Sequence, residues 1–211
     1  MTCEIDPEGE LGGRDRLTRL ADFLFEAGML RRTPRTGYQF LGSGGENVAE
    51  HSFRTALIGF VLAKMAGADP FRTAMLCLFH DLPEARTGDF NYVNKIYNQC
   101  DSERAMRDAL SGTGLEEDVL PLFHELEASQ TREARLAQDA DQLDLIVNLK
   151  EQQDLSNPYA RKWIECSLER LRTAEGQKLA RAVIETDHTD WWFFGPHKSW
   201  WSQKNGNEAK E

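Results

Sequence analysis

Apolar residues recur at three- and four-residue spacings along most of the chain, the period of helices with one buried face. Leu17, Leu20, Phe23, Leu24, Ala27 and Leu30 follow it, with Gly28 close to a stop. A second helix is expected to open between Val48 and Ser52, to bury a stripe of Phe53, Ala56, Leu57, Phe60, Val61 and Met65, and to end at Gly67. Asp69-Pro70, a capping residue followed by proline at the first helical position, opens a third helix that ends near His80. Further helices are predicted at about 101–111, 116–128, 131–154 and 158–186. Between Thr33 and Asn47 the density of Gly and Pro predicts a loop or short extended piece, and Pro83 and Gly88 mark another loop. No segment alternates polar and apolar residues for the five or six positions a strand needs. The fold class expected is all-α, a single helical bundle.

At 211 residues and 40% hydrophobic, the chain is long enough for one well-filled core. The expected division is a domain over 1–189 and an aromatic-rich tail over 190–211. Trp191, Trp192, Phe193, Phe194, Trp200 and Trp201 in that tail are expected to pack on the body or on a partner subunit, with a frayed end. Cys3, Cys77, Cys100 and Cys166 stand far apart without CxxC spacing, which points to a reducing compartment, and the cytoplasm is the expected location. No stretch approaches the roughly 18–20 apolar residues of a membrane span. The net charge of −10 disfavours nucleic acid as a partner. A small anionic ligand needs only a local basic pocket, and Arg14, Arg16, Arg19, Arg31, Arg32 and Arg35 concentrate in one early segment, most of them expected on the surface.

Candidate chemistry centres on His80-Asp81. The pair ends the apolar run Ala74 to Phe79 and offers an imidazole nitrogen beside a hard carboxylate, a combination suited to a divalent first-row ion. Two polar groups at the end of a buried helix need partners, and a metal would supply one. His51 lies at the start of the preceding helix, so antiparallel packing through the short turn at Gly67 to Asp69 brings His51 and His80-Asp81 to the same end. A third helix should supply the remaining ligand from Asp139, Asp141 or Asp144. Asp141 lies on the stripe of Ala134, Ala137 and Leu145, and Asp144 is flanked in the same way by Ala137 and Ala140. His124 reads as a helix-face or core histidine, and His188 and His197 as structural residues of the tail region.

Glu46-Asn47-Val48-Ala49-Glu50-His51-Ser52, His80-Asp81-Leu82-Pro83-Glu84 with Gly88-Asp89, and Arg135-Leu136-Ala137-Gln138-Asp139-Ala140-Asp141-Gln142 together resemble the motifs of the HD-domain metal-dependent phosphohydrolases, in their 5′-deoxynucleotidase branch. The resemblance runs from about Leu30 to Glu151. It implies one divalent ion, Mn, Co, Fe or Zn, held by His51, His80, Asp81 and Asp141, and a catalytic role for Glu84 beside Asp81. It also implies phosphate and sugar or base contacts from Arg35 and Tyr38, with Arg32 an alternative to Arg35 across a loop of variable length. Asp89 would contact the sugar, with Lys95 and Asn98 at matching distances. Phe90-Asn91-Tyr92-Val93 departs from the Pro-Thr-Pro-like stretch of relatives, on the nucleotide side of the site.

Metal-assisted hydrolysis of a phosphate monoester fits these residue types: a Lewis acid, an activated water, a carboxyl group for proton transfer, and an arginine fork for the phosphate. The activity expected is that of a phosphomonoesterase acting on (deoxy)ribonucleoside 5′-monophosphates, in a homodimer. Hydrolysis of another nucleotide, or a non-catalytic helical scaffold, are the competing readings. Retention of every metal-type residue with Glu84 argues against the scaffold, and the shortage of extra histidines argues against a di-iron oxygenase.

Overall fold

The computed structural model describes residues 15–194, and they form helices joined by short turns. Among them the β pairing is confined to one isolated antiparallel bridge between Pro34 and Asn47. Helix α1 (Arg16–Ala27) is capped by the Asp15 side chain, which accepts from the backbone of Leu17 and Thr18. Two 3₁₀ turns, Gly28–Arg32 and Thr36–Phe40, lead to α2 (Val48–Ala66). A reciprocal capping box between Asn47 and Glu50 starts α2, and Gly67, in the left-handed region, stops it. α3 (Pro70–Phe79) returns antiparallel, opened by Asp69 and Pro70 as the sequence predicts.

After short α4 (Glu84–Thr87) and α5 (Tyr92–Tyr97), α6 (Ser102–Leu110) and α7 (Glu116–Ala128) lead to the long α8 (Arg132–Asp154). α9 (Ala160–Leu168), α10 (Ala174–Glu185) and α11 (Asp190–Phe193) complete the described chain. The organising element is α8. Leu136, Ala137, Ala140, Leu143 and Ile146 of α8 pack with Leu62, Ala63, Leu76 and Cys77 from α2 and α3 and with Ala180 of α10. A second cluster gathers Phe23, Leu30, Val48, Leu82, Met106, Leu110, Val119 and Phe123.

Several expectations are corrected. The helix expected over 158–186 is two helices, because Asp139 reaches out of α8 to accept from the backbone N–H groups of Arg172 and Thr173 and from the Thr173 hydroxyl. Thr173 then caps α10, and Gly176 leaves room for the Asp139 carboxylate, which any Cβ there would strike. A short helix, α5, stands where the sequence was read as loop. In α1, Leu17 and Leu24 are exposed, while Arg19, expected at the surface, is buried and donates to the backbone carbonyls of Ser111 and Ala109.

The largest correction concerns α2. Phe53, Leu57, Phe60, Val61 and Met65 are exposed, and the buried face is Val48, His51, Ser52, Thr55, Gly59, Leu62 and Ala63. The middle of that inner face, from His51 to Gly59, carries the site and a close crossing and is built of polar and small residues, with Val48 and Leu62 beyond its two ends. Gly59 allows α2 to approach α3 at Cys77, where a Cβ would lie 2.6 Å from the sulfur. In the tail region Trp191, Trp192, Phe193 and Phe194 are all exposed; Trp200, Trp201 and His197 lie outside the described residues. No helix among the described residues is long and apolar enough to cross a membrane.

Removing a buried carboxylate that satisfies two backbone donors and a hydroxyl costs on the order of 2–3 kcal/mol. Asp139→Ala is therefore expected to lower the unfolding free energy in a urea titration by that amount while leaving metal content unchanged; loss of metal instead would place Asp139 among the ligands.

Candidate metal centre and cleft

α2, α3 and α8 each contribute to one polar cluster. His51 sits in the first turn of α2 and is fully buried. Its Nδ1 lies 2.6 Å from Asp144 Oδ2, which leaves Nε2 turned the other way. His80, just beyond α3, donates Nδ1–H to the Cys77 carbonyl at 2.6 Å, so its Nε2 is likewise free to act as a donor to a metal. Around these two nitrogens stand two carboxylates. His51 Nε2 is 3.4 Å from Asp81 Oδ2 and 3.2 Å from Asp141 Oδ1, and it is 3.2 Å from His80 Nε2. His80 Nε2 is 3.1 Å from Asp81 Oδ2 and 3.9 Å from Asp141 Oδ1.

Ligand atoms sharing one ion at about 2.0–2.2 Å stand roughly 3–3.5 Å apart, so these separations suit a single divalent ion. The donor chemistry agrees: two imidazole nitrogens with fixed tautomers and two carboxylate oxygens, matched to Mn, Fe, Co or Zn. The same cluster without a cation leans on protons. Burial works to lower the His51 pKa, but hydrogen bonds to Asp141 and Asp144 outweigh it and hold it at about 10. Burial likewise works to raise Asp141 and Asp81, and the two histidines with Arg35 pull both well below the usual carboxylate range.

The three aspartates of α8 thus separate by position. Asp139 holds the segment that leads into α10, Asp141 faces His51 Nε2, and Asp144 stands on the far side of His51. Asp144 is fully buried and also accepts from Arg54 Nε and Asn148 Nδ2. Arg54 continues to Glu46 at 3.1 Å and Glu151 at 3.3 Å. Gln142 donates to Asp141 Oδ2 at 3.0 Å, steadying the exposed side of that carboxylate.

The cluster opens into a cleft of about 130 Å³ whose lining includes Asp81, Asp141, Glu84, Arg35, Lys95 and Asp89. Burial, followed by the charges of Asp81 and Asp89, pushes the Glu84 carboxyl up to about 9, and its buried Oε2 has no hydrogen-bond partner. A neutral carboxyl with one uncommitted oxygen can exchange a proton with a reacting group. Arg35 is fixed by its backbone N–H to the Glu46 carbonyl at 2.9 Å. Its guanidinium reaches Asp81 at 3.2 Å, Asp89 at 3.5 Å and Asp141 at 3.8 Å. Arg32 is exposed and outside the cleft lining.

Not every sequence candidate offers a free group. Asp89 lines the cleft, but its Oδ2 accepts from the Thr36 backbone at 2.6 Å and from the Thr36 hydroxyl at 3.1 Å. Asn91 spends its side-chain oxygen capping α5. Asn98 lies at the end of α5, with its amide bonded to Asn94, away from the lining. Phe90, Tyr92 and Tyr38 line the cleft. His124 pairs with Glu103 at the surface, and His188 with Asp154.

Sequence reading missed the far wall. Trp163 of α9 meets Tyr92 edge-on at 6.2 Å, and Arg170 lies 4.8 Å from the centre of the Tyr92 ring. Asn148 was findable, because it stands four and seven residues beyond Asp144 and Asp141 on one helix face. Nothing near Trp163 or Arg170 in sequence connects them to the motifs.

The HD domain family profile matches residues 27–182. The 5′-deoxynucleotidase HDDC2 of Bos taurus is 29% identical over 165 residues, covering 75% of this chain and 80% of the relative. That of Danio rerio is 26% identical over 152 residues, covering 69% and 75%. The solved structure of a conserved hypothetical protein from Pyrococcus furiosus superposes with a TM-score of 0.63 at 29% identity, covering 79% of this chain and 99% of that one. With a profile match that spans most of the chain, the chain belongs to the HD domain family and is an HD-type phosphohydrolase.

Proposed function

We propose that the chain hydrolyses (deoxy)ribonucleoside 5′-monophosphates to nucleoside and inorganic phosphate, using one divalent ion held by His51, His80, Asp81 and Asp141. The observation that carries this reading is the convergence of these donors with the Glu84 carboxyl and the Arg35 guanidinium in one cleft that also has an aromatic wall. The curated relatives named 5′-deoxynucleotidase support the substrate class. A homodimer in the cytoplasm is part of the proposal; the described cysteines Cys77, Cys100 and Cys166 are free thiols, in keeping with a reducing compartment.

When bound, the ion supplies Lewis acidity toward a phosphoryl oxygen and toward the attacking water. Arg35 holds a second phosphoryl oxygen, and its backbone anchor to Glu46 fixes the direction of the fork. Glu84 exchanges the proton that must reach the departing 5′-oxygen, its neutral form being favoured by burial and by Asp81 and Asp89. Tyr38, Tyr92 and Trp163 offer ring faces and edges to the sugar and base, and Lys95 adds positive charge at the mouth.

His51→Ala, His80→Ala and Asp141→Ala should each lose bound metal and phosphate release together. Asp144→Ala should weaken the ion only about 10- to 100-fold, as expected for a residue that orients a ligand. Chelator competition and elemental analysis separate the two behaviours, and full metal loss in Asp144→Ala alone would exchange the roles of the two aspartates.

Glu84→Gln should keep metal and KM for a deoxyribonucleoside monophosphate and lose about 10²-fold or more in kcat. Because the raised Glu84 pKa means its proton is present at neutral pH and lost as pH rises, the wild-type alkaline limb should vanish in the variant. An unaltered profile would remove Glu84 from the reaction.

Arg35→Ala should lower kcat/KM by roughly 10- to 100-fold, the worth of a charge-assisted hydrogen bond, through both KM and kcat. Arg32→Ala should stay near wild type in the same assay, and the reverse order would place the phosphate at the other arginine.

A further inference from the structure

The exposed side of α2 and α3 is unlike the rest of this acidic molecule. Phe53, Leu57, Phe60, Val61 and Met65 on α2, and Phe71, Met75 and Leu78 on α3, are all solvent-facing, and Phe60 meets Phe71 edge-on at 5.7 Å so that the two stripes are continuous. The other exposed residues on these two helices are Glu50, Lys64 and Arg72.

Area and charge both bear on what covers this face. At the roughly 150–250 Å² that an aromatic side chain offers, with somewhat less for the aliphatic ones, exposures from 36% for Phe60 to 74% for Phe71 leave on the order of 800 Å² of apolar side chain in water. That is about what one partner contributes to a standard-sized interface, and more than the roughly 300–600 Å² of the largest patch on a typical monomer. Two copies, each carrying −10, repel across most surfaces. This face carries two basic residues against one acidic residue.

The order of residues along α2 suits a second copy of the same helix. Glu50, Phe53, Leu57, Phe60 and Lys64 alternate spacings of three and four, the seam of a helix that packs along another helix. Glu50 precedes Leu57 by seven residues and Lys64 follows it by seven. A two-fold axis beside Leu57 therefore sets Glu50 of one copy against Lys64 of the other, twice, with the aromatic residues between. α3 widens the contact on each side, giving a four-helix layer of self-complementary faces.

We propose that the chain forms a two-fold homodimer through the α2–α3 face, with α2 antiparallel to α2 of the second copy and Leu57 beside the axis. This rests on the homodimer reading above and names its surface, with the tryptophan-rich tail outside the primary contact. The two helices whose inner faces and ends bring in His51 and His80-Asp81 are then clamped from behind.

The test is the mass of the full chain by light scattering and sedimentation, for wild type and for Leu57→Lys combined with Phe71→Lys. Both substituted side chains are more than half exposed, so circular dichroism and the melting temperature should remain close to wild type. A dimeric wild type and a monomeric variant are the expected result. A monomeric wild type overturns both this surface and the homodimer reading. A folded variant that stays dimeric overturns the α2–α3 face alone. Should the variant fail to fold, Leu57→Cys in a Cys3→Ser, Cys100→Ser, Cys166→Ser background decides. Mild oxidation should give a covalent dimer on a non-reducing gel, because residues beside a two-fold axis come within disulfide reach, and failure to cross-link overturns the face. Binding of the wild type to neutral phosphatidylcholine vesicles, with no dimer in solution, would assign the face to lipid and overturn the proposal equally.

Discussion

Everything in the site hangs on a histidine ring and a carboxylate buried together. His51 and Asp144 are both fully buried, 2.6 Å apart between α2 and α8. A buried carboxylate is tolerated only with several partners, and Asp144 has them in His51, Arg54 and Asn148. Arg54 in turn needs acceptors, which it finds in Glu46 and Glu151. Glu46 also accepts from Asn148, and its backbone carbonyl receives the N–H of Arg35. One chain of hydrogen bonds thus runs from the inner side of the His51 ring to the backbone of the arginine across the cleft. The metal cluster and Arg35 are two ends of one polar scaffold.

α8 distributes work among three aspartates by helical phase. Asp141 and Asp144 are three residues apart and lie on either side of the His51 ring, whereas Asp139 points to α10. The choice between Asp141 and Asp144 was not available from periodicity, because both sit among alanines and leucines. What separates them is which imidazole nitrogen each one meets, and that depends on the placement of α2. The His and His-Asp positions were legible because only a short turn separates α2 from α3, so their ends had to meet. The cleft's far wall was not, since Trp163 and Arg170 arrive through a connection, 155–159 into α9, whose course is set by contacts with α8 rather than by any local pattern.

The misassigned stripe of α2 has a physical cause that also explains the site. A hydrophobic pattern finds the core face only when the large apolar residues point inward. On α2 the inward positions are taken by His51, Ser52, Thr55 and Gly59, which serve the ligand cluster and the close crossing with α3. Apart from Val48 and Leu62, most of the large apolar residues stand on the opposite side. Amphipathicity was present in the sequence, but its polarity was reversed by function.

The charges of the cleft set the terms for any ligand. Asp81, Asp89, Asp141, Asp144, Glu46 and Glu84 all line it, against Arg35, Lys95 and Arg170. A phosphate dianion entering such a lining meets net repulsion unless a cation sits among the carboxylates. Held by His51, His80, Asp81 and Asp141 as proposed, a divalent ion would take the place of the proton on the His51 ring nitrogen that faces it, since a ring nitrogen cannot hold both. Its two positive charges would offset most of the excess of the six carboxylates over Arg35, Lys95 and Arg170, so that a phosphate would meet far less repulsion on entering.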